Sequence, residues 1–234
     1  MTSVDGAIQM TLRDRLCCEA EWRTVKVENP RDHRIKTVAQ LQALIGDPNP
    51  MTPKKLFSAL DETAIDFIGR SPFIVLGTAD AQGNQDASPK GDSPGFVAVE
   101  DEHTFLIPER KGNRLMFSLR NILANPQVGT IFLVPGTDET LRVNGTAALS
   151  DDPDLLGRLS ARGAPALLAI RVTVRECFFH CAKAFIRSQL WRPETWPDRQ
   201  KISFGKILTA KIGGGEELAR QVDRAVEQDY KNNL

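Results

Sequence analysis

Apolar and polar positions follow two different periods along this chain, and the period changes near residue 72. Before that point the spacing is helical. Residues 7–24, AIQMTLRDRLCCEAEWRT, put Leu12 and Leu16 on one face, and VAQLQALIG predicts a short helix that stops at Gly46. Pro53 opens a longer segment, PKKLFSALDETAIDFIGR, in which Leu56, Leu60, Ala64 and Phe67 recur at helical spacing and Gly69 offers a stop. Beyond residue 72 the pattern becomes short apolar runs punctuated by turns. PFIVLGTADAQGNQDASPKG predicts strand, turn, strand, with Gly83-Asn84 at the tight turn. GFVAVEDEHTFLIPER predicts a second hairpin about Asp101-Glu102, and a helix is expected over Asn113–Ala124. VGTIFLVPGTDETLRVNGTAALS supplies two strands, DDPDLLGRLSARG a short capped helix, and APALLAIRVTVRECFFHC another strand. The last segment, GGGEELARQVDRAVEQDY, predicts a helix after a glycine hinge, with Leu218, Val222 and Val226 on its apolar stripe.

Strands are expected near 72–80, 84–90, 95–100, 103–109, 127–134, 140–149 and 166–179. Most have no helix between them, so a mainly antiparallel barrel fits better than a doubly wound parallel sheet. The expected fold class is mainly β with helices (α+β). Its expected parts are a helical N-terminal extension (1–69), a barrel domain (70–196) and a C-terminal helical tail (197–234).

Composition narrows the choice of partner. The chain has 234 residues, 41% of them apolar, which is enough for a core. Lys+Arg and Asp+Glu balance at 30 each, so nothing suggests bulk attraction to nucleic acid or to an acidic membrane. No apolar run has the length of a spanning helix, and MTSVDGAIQM lacks the features of a signal peptide. Cysteines at 17, 18, 177 and 181 do not make a disulfide framework, and a reducing, cytoplasmic setting is expected.

Any anion site must therefore be local. FLIPERKGNRLMFSLRNILANPQV places Arg110, Lys111 and Arg114 around the start of a helix that Asn113 is suited to cap. Free N–H groups at such a start favour an anion, and arginine can hold phosphate through a bidentate fork. ASPKG adds Ser88 and Lys90 at the end of another strand, where Lys90 and Arg110 would converge on one phosphate if the two strands were neighbours. A solvated basic turn is the alternative. CFFHCAKAFIRSQLW offers Cys177, His180 and Cys181, but no fourth ligand has zinc-site spacing, so a packed strand-to-helix corner is expected and no metal. Lys183, Arg187, Ser188 and Trp191 follow at helical spacings as a polar and aromatic edge. No residue stands out as a general acid or base.

The ordered strings PFIVLGTADAQGNQDASPKGDSPGFVAV, TFLIPERKGNRLMFSLRNILANPQVGTIFLVPG, ETLRVNGTAALS and CFFHCAKAFIRSQLW resemble the pyridoxamine 5′-phosphate oxidase-like family, in its branch of uncharacterised, probable FMN-dependent enzymes. The resemblance covers about residues 65–196. It implies an FMN-binding split β-barrel and a homodimer with FMN at the subunit interface. It also implies an oxidoreductase acting on an unidentified small molecule. Residue by residue, it implies a basic contact at Lys90 and backbone at Ile107 and Pro108 beside the flavin ring. Phosphate contacts are implied at Arg110 and Lys111, and auxiliary contacts at Asn113, Arg114 and Ser118. Thr140 and Arg142 would reach in from the other subunit, and the edge of Lys183, Arg187, Ser188 and Trp191 would approach or close over the FMN. The Arg-rich C-terminal segment by which the oxidases grip their substrate's phosphate has no counterpart here. A non-catalytic flavin- or haem-binding split barrel and a deazaflavin-dependent reductase are the alternatives.

Overall fold

The computed structural model describes residues 33–47 and 49–233, and the chain divides into two compact units, Met1–Pro48 and Asn49–Leu234. The helix expected over 7–24, with Cys17 and Cys18, lies outside the described residues. In the first unit, α1 (Val38–Ile45) opens with a capping box: Thr37 accepts from the Gln40 N–H at 3.2 Å, and the Gln40 side chain accepts from the Thr37 N–H at 3.2 Å. It ends at Gly46, where φ is 86°.

In the second unit the helix expected from Pro53 is broken. A single 3-10 turn covers Pro53–Lys55. Phe57 then exchanges two backbone hydrogen bonds with Cys177, at 3.0 and 2.7 Å, which holds this segment extended. The Asp61 carboxylate takes the Ala64 N–H at 2.8 Å, so α2 starts only at Glu62 and runs to Arg70. Gly69 lies inside α2. The stop comes at Ser71, because Pro72 disfavours a helical residue before it. The buried Ser71 hydroxyl, 2.8 Å from the carbonyls of both Phe73 and Leu133, ties that stop to the sheet.

Among the described residues, seven strands form one sheet in which every pairing is antiparallel: β1 (Phe73–Ala79), β2 (Gln85–Gly91), β3 (Ala98–Asp101), β4 (Thr104–Glu109), β5 (Gln127–Leu133), β6 (Thr140–Ser150) and β7 (Leu168–His180). Their order is β2-β1-β5-β6-β7-β4-β3. The fold is α+β, with helices flanking the sheet. Alternation along each strand explains the core: Ile74 and Leu76, Phe132, Leu141 and Val143, Ile170 and Val172 all point inward. Phe67 and Ile68 of α2 join them, and Phe105 meets Phe132 edge to face at 5.6 Å. A smaller cluster packs Leu155 of α4 (Pro153–Arg158) against Leu106 and Ala169.

The opposite face keeps apolar side chains in contact with solvent. Direct cross-strand partners share a face, and Pro89, Val75, Ile131, Arg142 and Phe178 form one unbroken row over five strands. Beside it, Phe73 is 39% exposed and Ile131 in the row is 36% exposed.

Two further differences from the sequence pattern concern helices. α3 runs Phe117–Ala124 and does not begin at Asn113. Arg114 (φ 60°) and Met116 (φ 55°) sit in the left-handed region, at about 1–2 kcal/mol each, so no helix can pass through them. After α5 (Lys183–Ser188), an unforeseen helix, α6 (Phe204–Ile212), packs against α7 (Gly215–Asn232). The two helices touch at Gly205, where an added Cβ would lie 1.9 Å from the Ala219 carbonyl oxygen.

Candidate functional site

Period-two alternation puts Asp86, Ser88 and Lys90 on the half-buried side of β2. Across from them stand Glu109 at the end of β4, the loop 110–116 and the start of α3. Together they bound a cleft of about 190 Å³ whose polar lining is Asp86, Ser88, Lys90, Glu109, Asn113 and Ser118. β2 and β4 share no backbone ladder, so the cleft lies on a seam crossed by side chains.

Two pairings occupy the cleft. Lys90 Nζ lies 2.7 Å from Glu109, and their side chains are 14% and 22% exposed. The buried Ser118 hydroxyl donates to Asp86 at 2.6 Å. Asn113 Oδ1 accepts from the Leu115 N–H at 3.0 Å, which leaves its amide NH2 to donate. The first N–H groups of α3 have no intrahelical acceptor.

Arg110 is turned elsewhere. Its Nε meets Asp92 at 3.0 Å and its NH1 donates to the Leu159 carbonyl at 2.8 Å, while Arg162 reaches the same Asp92 carboxylate at 3.1 Å. Lys90 and Arg110 therefore do not converge; each is paired with its own carboxylate. Lys111 and Arg114 are exposed on the loop. Ile107 and Pro108 are buried in β4, opposite Ile170 and Ala169 of β7.

The remaining expected residues form a second group, and none of them lines the Lys90 cleft. Arg142 lies over the Phe178 ring at 5.1 Å, both half-buried in the outward-facing row of the sheet. Thr140 is buried opposite His180. Trp191 donates its indole N–H to the Thr137 carbonyl at 2.8 Å and stacks on Phe185, with ring centroids 5.6 Å apart. Lys183 and Arg187 are exposed on α5, and Ser188 bonds the Phe185 carbonyl at 3.2 Å.

Cys177 is a packed strand residue: its Sγ donates to the Ala59 carbonyl at 3.0 Å, and burial, with Asp61 and Glu176 nearby, raises the thiol above its ordinary value of 9.0. Such a thiol is a poor nucleophile at neutral pH. Among the described residues no group of three or more His, Cys, Asp or Glu is placed to hold a metal ion, and no helix is long and apolar enough to cross a membrane. A hollow of about 610 Å³ between α6 and α7 has charges engaged within the hairpin, Arg220 with Glu216 at 3.3 Å and Asp223 with Ser203 at 2.5 Å.

Sequence reasoning missed Asp86, Asp92 and Glu109. The signal for Asp86 was its place two residues before Ser88 and four before Lys90, on the same strand face. Glu109 and Asp92 gave none, because their partners come from a strand or loop that is not a sheet neighbour.

The donor set suits the phosphate that the family resemblance implies: one ammonium, two hydroxyls, an amide and a helix start. The two wall carboxylates must then give up Lys90 and Ser118 to it. At about 190 Å³ the cleft has room for a phosphate and part of its chain, while pockets for whole drug-sized ligands run to about 300–1,000 Å³.

A family profile described as pyridoxamine 5′-phosphate oxidase matches residues 60–181. No sequence among the curated proteins matches the chain. Similar solved structures include HupZ of Group A Streptococcus, at 18% identity over 51% of this chain and 93% of that one, with a TM-score of 0.42. A putative pyridoxamine 5′-phosphate oxidase from Lactobacillus delbrueckii is 24% identical over 52% and 95%, with a TM-score of 0.41. An FMN-binding protein from Syntrophomonas wolfei is 9% identical over 50% and 88%, with a TM-score of 0.38.

Proposed function

From the premise that the chain belongs to the pyridoxamine 5′-phosphate oxidase family, we propose that it is an FMN-dependent oxidoreductase, acting as a homodimer on a small molecule. The observation that carries this reading is the cleft: Ser88, Lys90, Asn113 and Ser118, drawn from one strand, a loop and a helix start, face one small polar space. Lys90 would carry the charge-assisted contact with the phosphate, and the hydroxyls and the start of α3 would orient it. Bound FMN would supply hydride and electron chemistry, with the protein contributing orientation and exclusion of water. The chain's own share is therefore binding, and no side chain of the cleft is assigned a proton transfer.

The second group of residues supports the dimer. Arg142 lies in an exposed, largely apolar row, so a two-fold mate seated there would bring its own Arg142, Thr140 and α5 edge toward a neighbouring ligand. That sharing accounts for a cleft too small for a whole flavin.

The test compares FMN with riboflavin, which lacks the phosphate. In fluorescence titrations, Lys90→Ala weakens FMN by about tenfold to a hundredfold, the loss of one charge-assisted contact, and changes riboflavin little. Equal losses for both ligands, or a purified protein whose absorbance shows a haem Soret band in place of flavin bands, would overturn the reading.

A further inference from the structure

α6 and α7 pack on each other and on no other element beyond marginal contact. Between them the hairpin is closely fitted. Gly205 lies against Ala219, and the Asp223 carboxylate takes the Ser203 hydroxyl at 2.5 Å and the Gly205 N–H at 2.9 Å. The other side of α6 is bare. Phe204, Ile207, Leu208 and Ile212 recur at helical spacing as one stripe, and they are 48%, 61%, 39% and 63% exposed. Lys211 alone brings charge to that side, and its stem can lie along the stripe with the ammonium in water. α6 has nine residues, fewer than the about 12–15 a helix needs to persist alone in water, so its stability comes from packing.

Charge and area point to what covers the stripe. The ionic groups of α7 are engaged within the hairpin: Arg220 with Glu216 and Glu217 at 3.3 and 2.9 Å, Arg224 with Glu217 at 3.3 Å, and Glu227 with Lys201. An apolar strip in so neutralised a frame suits an identical strip better than a charged partner. A standard interface also takes about 20–30 residues from each copy. The outward row of the sheet has five, of which Val75, Arg142 and Phe178 are already half-buried, so a dimer seated on that row alone is undersized. β7, which carries Phe178, ends two residues later at His180, and the chain leads through α5 past exposed Trp196 and Ile202 to the stripe.

We propose that the α6 stripe is a second part of the homodimer interface, packed on the same stripe of a second copy so that two hairpins make a four-helix bundle. The inference rests on the dimer reading above for its partner and needs no flavin. A two-fold axis lays a patch onto itself, and one axis serves both the sheet row and the stripe, since two separate axes would build assemblies larger than a dimer.

The full-length chain is compared with a double variant, Ile207→Gln with Ile212→Gln, in which glutamine keeps helix propensity while removing apolar surface. By sedimentation, the dissociation constant of the dimer should rise about a hundredfold or more, since each copy loses two covered side chains. In the wild type, amide exchange in α6 should slow as rising concentration carries the chain from monomer to dimer, a readout that does not depend on how the variant folds. A double variant that dimerises as tightly as wild type, or α6 exchange that is the same in monomer and dimer, would overturn the inference and leave the dimer reading in place. A wild type that stays monomeric at micromolar concentration would overturn both. A monomer that instead sediments with anionic vesicles would give the stripe to a membrane surface and overturn the inference as well. If the chain binds neither FMN nor riboflavin, the functional reading fails, and the same sedimentation and exchange measurements still decide the stripe.

Discussion

Glu109 pairs with the Lys90 ammonium at 2.7 Å, so in the proposed site it would compete with an incoming phosphate and repel it. Replacing it with glutamine removes a competitor and a repulsion together. Glu109→Gln should tighten FMN by several-fold to about tenfold, leave riboflavin unchanged and lower the melting temperature of the ligand-free protein, in which Lys90 loses its counter-charge. Titration with both flavins and a thermal melt check this. Cys177 makes a different residue-scale prediction. Below pH 9.0 its thiol is neutral in folded and unfolded chain alike. As pH rises from there through the raised folded value, only the unfolded chain ionises freely, and stability is lost. The stability advantage of wild type over Cys177→Ala, read from denaturant midpoints, should therefore shrink across the alkaline range. Single residues were legible in the sequence where the local pattern set their surroundings, as with the packed corner read for Cys177. They were illegible where a partner arrived from a segment that is not a sheet neighbour, as Asp92 in the turn after β2 did for Arg110 in the loop after β4.

Elements were easiest to read where one face was clearly buried. Most of the strands follow from runs of apolar residues between turn signals, β2 from the turn at Gly83-Asn84 that precedes it, and α7 from Leu218, Val222 and Val226. The segment 53–70 shows the limit: its helical spacing is real, yet the Asp61 cap and the pairing of Phe57 with Cys177 override the helix propensity of residues 56–61, which tertiary contacts routinely outweigh. α6 was hidden because Phe204, Ile207 and Ile212 remain exposed, so its pattern marks no inward face. Its contact with α7 depends on a missing side chain. Gly205→Ala must push the helices apart or bend them, at a cost of about 1–3 kcal/mol to the hairpin. The loss should appear as faster amide exchange in α6 and α7, with the strands unaffected. Exchange unchanged in both helices would show that the hairpin absorbs a methyl group freely.

At the scale of the whole molecule, the exposed row from Pro89 to Phe178 is the feature that a single copy leaves unexplained. A stable dimer of this class covers about 1,200–2,000 Å² in total, and obligate ones more. Ile131, at the middle of that row, is the place to break it. Ile131→Glu puts a charge into the proposed interface without touching the core, so light scattering should show a dimer becoming a monomer while the fold survives. Flavin affinity should fall for FMN and riboflavin together, since the mate's residues leave. A wild type that is monomeric at micromolar concentration would defeat the dimer. The sequence carried this surplus of apolar surface in VGTIFLV and LRVNGTAAL, but which face holds it depends on strand register.

Among the described residues the end strands of the sheet are β2 and β3. Free margins invite the strand of another molecule to add on, the route to runaway association. β3 is only four residues long and loses register at Val99–Asp101. β2 is longer, but Pro89 has no N–H to offer, and Asp86 and Lys90 bring charge to the same strand. Pro89 thus does two jobs: its ring belongs to the apolar row on the sheet's face, and its missing donor spoils the strand as a template. In the proposed dimer, self-association would be steered from the sheet's margin, where it would be unlimited, to its face, where a two-fold axis would end it at two.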